Sequence, residues 1–167
     1  MAPRVVLVGP PGSGKTTTGR EVAERLGLPS RDTDDDVEAM TGTTVAEIFV
    51  DQGEERFRAL EVEAVQVALE EHDGVLSVGG GAVLDAATRA RLVGQTVVFL
   101  DVGIADAARR IGFNRDRPLL LGNPRAQWVR LMEARRPLYE EVATHVVGTD
   151  GRSAAEVADD VVARLGA

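Results

Sequence analysis

One octapeptide limits what this chain can fold into more than any other feature. GPPGSGKT, Gly9 to Thr16, follows the apolar run VVLV directly, and a helical pattern begins at once behind it. The whole motif matches GxxxxGK[ST] in the strand–turn–helix context that gives such a match its meaning. Its glycines let the backbone turn with its N–H groups inward, so a nest for phosphate oxygens forms at the positive end of a helix. Gly12, Ser13, Gly14, Lys15, Thr16 and Thr17 are therefore the expected contacts to a nucleoside triphosphate. Lys15 is placed to reach the β and γ phosphates, and the Thr16 hydroxyl to ligate Mg²⁺.

Composition sharpens this reading at one point. Of the 19 basic side chains 18 are arginine, and the single lysine is Lys15. Arginine is a planar fork and lysine a compact point charge on a thin stem, so a site that needs an ammonium does not accept the exchange. The net charge of -8 argues against a general polyanion-binding surface, and 4% aromatic residues leave too few platforms for single-stranded nucleic acid. Any anionic ligand must be gripped locally. With no cysteine, disulfides, thiolate metal sites and thiol nucleophiles are excluded together. The opening MAPRVVLVG has too short an apolar run for a signal peptide or a membrane span. A cytoplasmic protein with no membrane or nucleic-acid partner is the expectation. No exposed apolar stripe of interface size is legible, so a monomer is expected as well.

The chain alternates short apolar runs with longer stretches of helical period, the mark of βαβ units and a parallel sheet. Five strands are predicted: VVLV from Val5, a short edge piece around Arg31 and Asp32, VLSV from Val75, TVVFLDV from Thr96 and HVVGT from His145. The clearest helix runs from about Glu54 to Glu71, with Phe57, Leu60, Ala64, Val65, Ala68 and Leu69 on one face. The last helix, about Ser153 to Leu165, starts with Ser153 as N-cap and Glu156 as its capping-box partner. The segment Phe113 to Arg125, dense in Asn, Pro, Gly and Arg, reads as an irregular flap. A length of 167 residues fits a single domain.

Four further clusters carry chemistry. RDTDDD, Arg31 to Asp36, follows the second strand, where an open α/β sheet places its ligand crevice. Asp35 and Asp36 suit a helix start through the dipole. Asp32 is placed to reach the metal and Asp34 the hydroxyl of a second substrate. Arg58 and Glu61 fall three apart on the long helix, either as a surface ion pair or as part of the site. Three consecutive glycines, Gly79 to Gly81, follow a strand directly, which is useful where a ligand must approach the main chain closely. Arg117 lies on the flap, and Arg135 and Arg136 precede Pro137, where the helix is expected to end.

Taken in order, GPPGSGKTT, DTD at Asp32 to Asp34, FRALE at Phe57 to Glu61, GGGA at Gly79 to Ala82, RPLL at Arg117 to Leu120 and RxPLY from Arg135 resemble the shikimate kinases. The resemblance covers nearly the whole chain. It implies a three-layer α/β/α P-loop kinase with a five-stranded parallel sheet and a mobile lid, which makes 3-phosphoshikimate from shikimate and ATP. It divides the single domain, 1–167, into a P-loop at 9–16, an acceptor-binding segment at about 33–61 and a lid at about 112–125. It further implies that Asp34 contacts the shikimate hydroxyls, that Arg58 and Arg135 grip the carboxylate, and that Gly79, Gly80 and Gly81 line the ring. Arg117 would reach the transferring phosphoryl group from the lid and Arg110 would face the adenine, while Arg136 occupies the variable position of RxPLY. Another small-molecule kinase on the same fold, for gluconate or a nucleoside monophosphate, is the competing expectation; it has no need for GGGA and paired carboxylate-binding arginines.

Overall fold

The computed structural model describes residues 2–112 and 123–166. Five strands, β1 (Val5–Val8), β2 (Ser30–Asp32), β3 (Val75–Ser77), β4 (Val97–Asp101) and β5 (His145–Gly148), form one parallel sheet in the order β2-β3-β1-β4-β5. Helices α1 (Lys15–Leu26), α2 (Thr33–Thr41), α3 (Val45–Glu71), α4 (Ala86–Val93), α5 (Ile104–Ile111), α6 (Pro124–Val142) and α7 (Ala154–Arg164) connect and cover it. Alternate side chains of the strands point to opposite faces. Val5, Leu7, Val75, Val98 and Leu100 pack with Val22 of α1 and Val157 and Val161 of α7. Val6, Val8, Leu76, Val97 and Phe99 pack on the other face with Val65 of α3 and Tyr139 of α6. The outcome is the expected three-layer α/β/α arrangement. β1 lies in the middle, with β3 on one side and β4 on the other, so the turn after it opens into the crevice that such a switch in strand order creates.

Three local features depart from the sequence pattern. The helix predicted from Glu54 is the second limb of α3, which begins at Val45 and is interrupted only at Gly53, where φ is 84° and ψ 167°. The first limb packs Ile48 with Val37, Phe57 and Leu60 in a small core of its own. The helix expected to end before Pro137 runs on to Val142. Proline removes one helical N–H and crowds the preceding turn, but Tyr139 and Val142 beyond it are buried in the sheet-facing core, and that packing outweighs the lost bond. Arg125, expected within an irregular stretch, lies instead on α6, which Asn123 caps by accepting from the Ala126 N–H at 3.2 Å and in which Pro124 occupies the first turn. Most of the expected lid, Arg117 included, lies outside the described residues. Among the described residues no helix is long and apolar enough to cross a membrane.

Candidate active site

The nucleotide side is built mainly from backbone. Gly12 and Gly14 have φ of 84° and 86°, a left-handed conformation that side chains resist, and Gly14 caps α1 without any side-chain hydrogen bond. The first amides of α1 thus face the crevice uncapped, with the helix dipole behind them. The Lys15 ammonium donates to the carbonyls of Gly9 at 2.8 Å and Pro10 at 3.4 Å. The Thr16 hydroxyl donates to Asp32 Oδ2 at 2.9 Å, while Asp32 Oδ1 accepts from the Asp34 N–H and so caps α2. The carboxylate is therefore fixed by the helix it starts. Ser77, paired with Asp32 across β2 and β3, donates its hydroxyl to the Lys15 carbonyl at 3.2 Å. The single tryptophan, Trp128, donates to the Pro11 carbonyl at 2.9 Å and braces the loop from α6.

A cavity of about 440 Å³ runs from Thr149 and Arg152 past Gly12 to Thr17 and reaches Asp34, Gly79 and Gly80. At its far end Arg110 donates to the Gly12 carbonyl at 3.1 Å and to both the hydroxyl and the carbonyl of Thr149, at 3.0 and 2.8 Å. The edges of Arg110 thus tie the P-loop to the β5–α7 turn. Arg152 also lines this end and pairs with Asp160 at 3.1 Å. The pattern of Thr149 and Arg152 offered no signal in sequence, since a threonine and an arginine in a polar turn read as solvent-facing.

The acceptor side is built mainly from side chains. A Cβ on Gly79 would collide with Glu61 and come within 2.9 Å of Asp34 Oδ1, and one on Gly81 would collide with the Arg58 guanidinium. The absence of side chains there leaves room for the ends of Asp34, Glu61 and Arg58 against this turn. Arg58 donates to Glu61 at 2.8 Å and to Glu54 at 3.3 Å, with its guanidinium 5.2 Å from the Phe57 ring centroid. Of the two readings of the Arg58–Glu61 spacing, a surface pair is excluded, because the Glu61 side chain is 4% exposed and that of Arg58 20%. Burial pushes the Glu61 carboxyl above the usual glutamate range, opposed by the charge and hydrogen bond of Arg58.

Arg135 is buried on α6, with Nη1 3.6 Å from where a Cβ on Gly80 would stand. Its neighbour Arg136 points elsewhere, forming a two-pronged pair with Asp101 at 2.9 and 2.8 Å above the Phe99 ring. The glycine turn is fully oriented. Gly79 N–H donates to Thr33 Oγ1 at 3.1 Å, and the carbonyls of Gly79, Gly80 and Gly81 accept from Ala82 N–H, Tyr139 O–H and Leu84 N–H. The amides of Gly80 and Gly81 have no intramolecular acceptor among the described residues. They are free to donate to a ligand. Thr33 and Tyr139 were not singled out from sequence; only the burial implied by their helical phases could have suggested them.

Of the sequence-predicted residues, the structure brings Lys15, Thr16, Asp32, Asp34, Gly79 and Gly80 to one cavity with Arg110 at its far end; Arg58 and Gly81 line a second cavity of about 360 Å³ with Glu61, and Arg135 approaches the glycine turn from α6. Arg117 falls outside the described residues. Among the described residues no group of three or more acidic or histidine side chains could hold a metal ion. Thr16 and Asp32 nevertheless form an oxygen pair beside the phosphate nest, and a Mg²⁺ ion that takes phosphate oxygens and waters for its other ligands fits such a pair.

Comparison with known proteins agrees across the chain. The profile of a family described as "Shikimate kinase" matches residues 11–166. A shikimate kinase of Streptomyces avermitilis is 60% identical over 163 residues, covering 98% of this chain and 95% of the relative. One from Salinispora arenicola is 57% identical over 167 residues, covering all of both chains. A solved structure, the shikimate kinase of Acinetobacter baumannii in complex with shikimate, superposes with a TM-score of 0.93 at 35% identity, covering 99% of this chain and 93% of that one.

Proposed function

The chain belongs to the shikimate kinase family, and on that premise we propose that it transfers the γ-phosphoryl group of ATP to a hydroxyl of shikimate, giving 3-phosphoshikimate and ADP. The observation that carries this reading is the convergence on one glycine turn: the cavity holding the P-loop ends at Asp34, Gly79 and Gly80, and Arg58 and Arg135 close on that same turn from α3 and α6. Two guanidinium groups and a carboxylate beside a glycine turn with two free amides suit a rigid acid that carries hydroxyls.

The division of labour follows from the chemistry of the groups. ATP phosphates lie in the nest of Gly12 to Thr17, where Lys15 exchanges two neutral carbonyls for anionic oxygens, a stronger charge-assisted contact. Thr16 and Asp32 would hold Mg²⁺, which when bound neutralises phosphate charge. Asp34 orients the acceptor hydroxyl and accepts its proton late, since phosphoryl transfer through a loose transition state asks for positioning more than for a strong base. Arg58 and Arg135 bind the acceptor carboxylate, and the Gly80 and Gly81 amides donate to its hydroxyls. Arg110 and Arg152 border the base end of the nucleotide. Arg117, outside the described residues, is assigned by the same reading to the transferring phosphoryl group. We assign these roles within one domain, active as a monomer in the cytoplasm.

ADP release measured with shikimate, gluconate and AMP in parallel tests the reading. Turnover with shikimate at least ~10²-fold above the other two in kcat/KM is expected, because a site built to pair a carboxylate rejects acceptors that leave it unpaired. Equal rates, or preference for AMP, would contradict it.

A further inference from the structure

Tyr139 is the only tyrosine of the chain and is fully buried, yet its position on α6, one turn beyond Arg135, brings its hydroxyl to the acceptor site. The hydroxyl donates to the Gly80 carbonyl at 2.6 Å, and Arg135, whose guanidinium approaches Gly80, stands one turn back on the same helix. The ring itself is stacked on Phe99 at 5.0 Å between centroids and sits in the core beneath the sheet. One phenol oxygen thus fixes a peptide of the glycine turn from the core side. The Gly80 carbonyl and the Gly81 N–H belong to one planar peptide and point in opposite directions, so holding the carbonyl sets the direction of the Gly81 amide as well.

The same turn is pinned on its other side by Thr33, which accepts from the Gly79 N–H at 3.1 Å. Thr33 belongs to α2, the helix of Asp34, so the orientation of Gly79 is tied to the helix of the catalytic carboxylate and that of Gly80 to the helix of the carboxylate-binding arginine. Pro137 lies between Arg135 and Tyr139 and removes a helical hydrogen bond there. The Tyr139 bond therefore supplies an anchor where α6 lacks part of its own ladder.

We propose that the Tyr139 hydroxyl is a positioning residue for the acceptor: it fixes the Gly80–Gly81 peptide relative to α6, the helix of Arg135, and thereby sets how tightly the hydroxy acid is held, without touching it. The inference rests on the proposed acceptor. Tyr139→Phe removes the hydroxyl and keeps the ring on Phe99. The KM for shikimate should rise ~10-fold, as for a buried carbonyl left unpaired, while the KM for ATP changes less than ~2-fold and kcat falls less than the shikimate KM rises. An unchanged shikimate KM, or equal increases for both substrates, would overturn the role. Because the chain has one tyrosine, 3-fluorotyrosine incorporated throughout labels this position alone and keeps the hydroxyl even if the Phe variant folds poorly. Its ¹⁹F resonance should shift on adding shikimate alone and stay in place on adding ADP alone; a signal indifferent to saturating shikimate would also overturn the role. Failure of the wild-type enzyme to phosphorylate shikimate would remove the acceptor and this inference together, whereas normal wild-type turnover with an unaltered Tyr139→Phe enzyme would remove the tyrosine's role only.

Discussion

The two halves of the crevice are made in opposite ways. On the nucleotide side, eight consecutive residues supply nearly the whole site, and the working groups are backbone amides, one ammonium and one hydroxyl. On the acceptor side, α2, α3 and α6 each supply one or two side chains around the glycine turn after β3, and the residues from Asp34 to Tyr139 come together only because the sheet order sets β3 between β2 and β1. A phosphate chain is recognised by a local loop because its demands are generic: many donors and a positive dipole. A particular hydroxy acid demands a shape, and a shape is made from elements distant in sequence. Local sites therefore show in a motif, and assembled sites show in a fold.

Substitutions in the two halves should separate accordingly. Lys15→Met should have the largest effect, lowering kcat by at least ~10³-fold while calorimetry finds shikimate binding within ~2-fold of wild type; a comparable loss of shikimate binding would mean that the halves are not independent. Asp34→Asn should lower kcat by at least ~10²-fold in the ADP-release assay, and near-normal turnover would remove Asp34 from the chemistry. Arg58→Lys should come next, raising the KM for shikimate ~10-fold or more through loss of the planar fork with the KM for ATP little changed. Equal effects on the two substrates would break the contrast between the halves.

The smallest effect concerns stability. Burial raises the Glu61 carboxyl in the folded protein above its unfolded value, so the native state holds this proton to higher pH. The contribution of the group is present below the unfolded value and is lost as pH rises through the folded one. Glu61→Gln removes that dependence. The Tm of the variant relative to wild type should move upward by a few degrees between about pH 5 and about pH 8. Parallel Tm profiles would show that Arg58 keeps the carboxylate in its ordinary range.

The same contrast explains what could be read from the residues in order. The β1–P-loop–α1 unit was legible because the glycines, the lone lysine and the apolar run lie within one window. The five strands were legible because both faces of a parallel sheet are covered, which makes each strand a short apolar run. The first limb of α3 was not, because Gly53 and its polar neighbours interrupt the period. Nor was the passage of α6 through Pro137, since the packing of Tyr139 and Val142 that overrides the proline is tertiary. The spacing of Arg58 and Glu61 was visible, but the burial that separates a structural pair at the site from a surface one depends on Gly79 and Gly81 approaching α3. Arg136 shows the converse: adjacent to Arg135 in the chain, it is turned by the helix toward Asp101 and away from the glycine turn.

The claim that matters most is that the acceptor half is built around a carboxylate. Initial-rate ADP release with shikimate and with its neutral carboxamide, at matched concentrations and saturating ATP, tests it directly. The ring and its hydroxyls are identical in the two, so only the charge facing Arg58 and Arg135 differs. A kcat/KM for the carboxamide at least ~10²-fold below that for shikimate is the expected result; equal values for the two acceptors would contradict it.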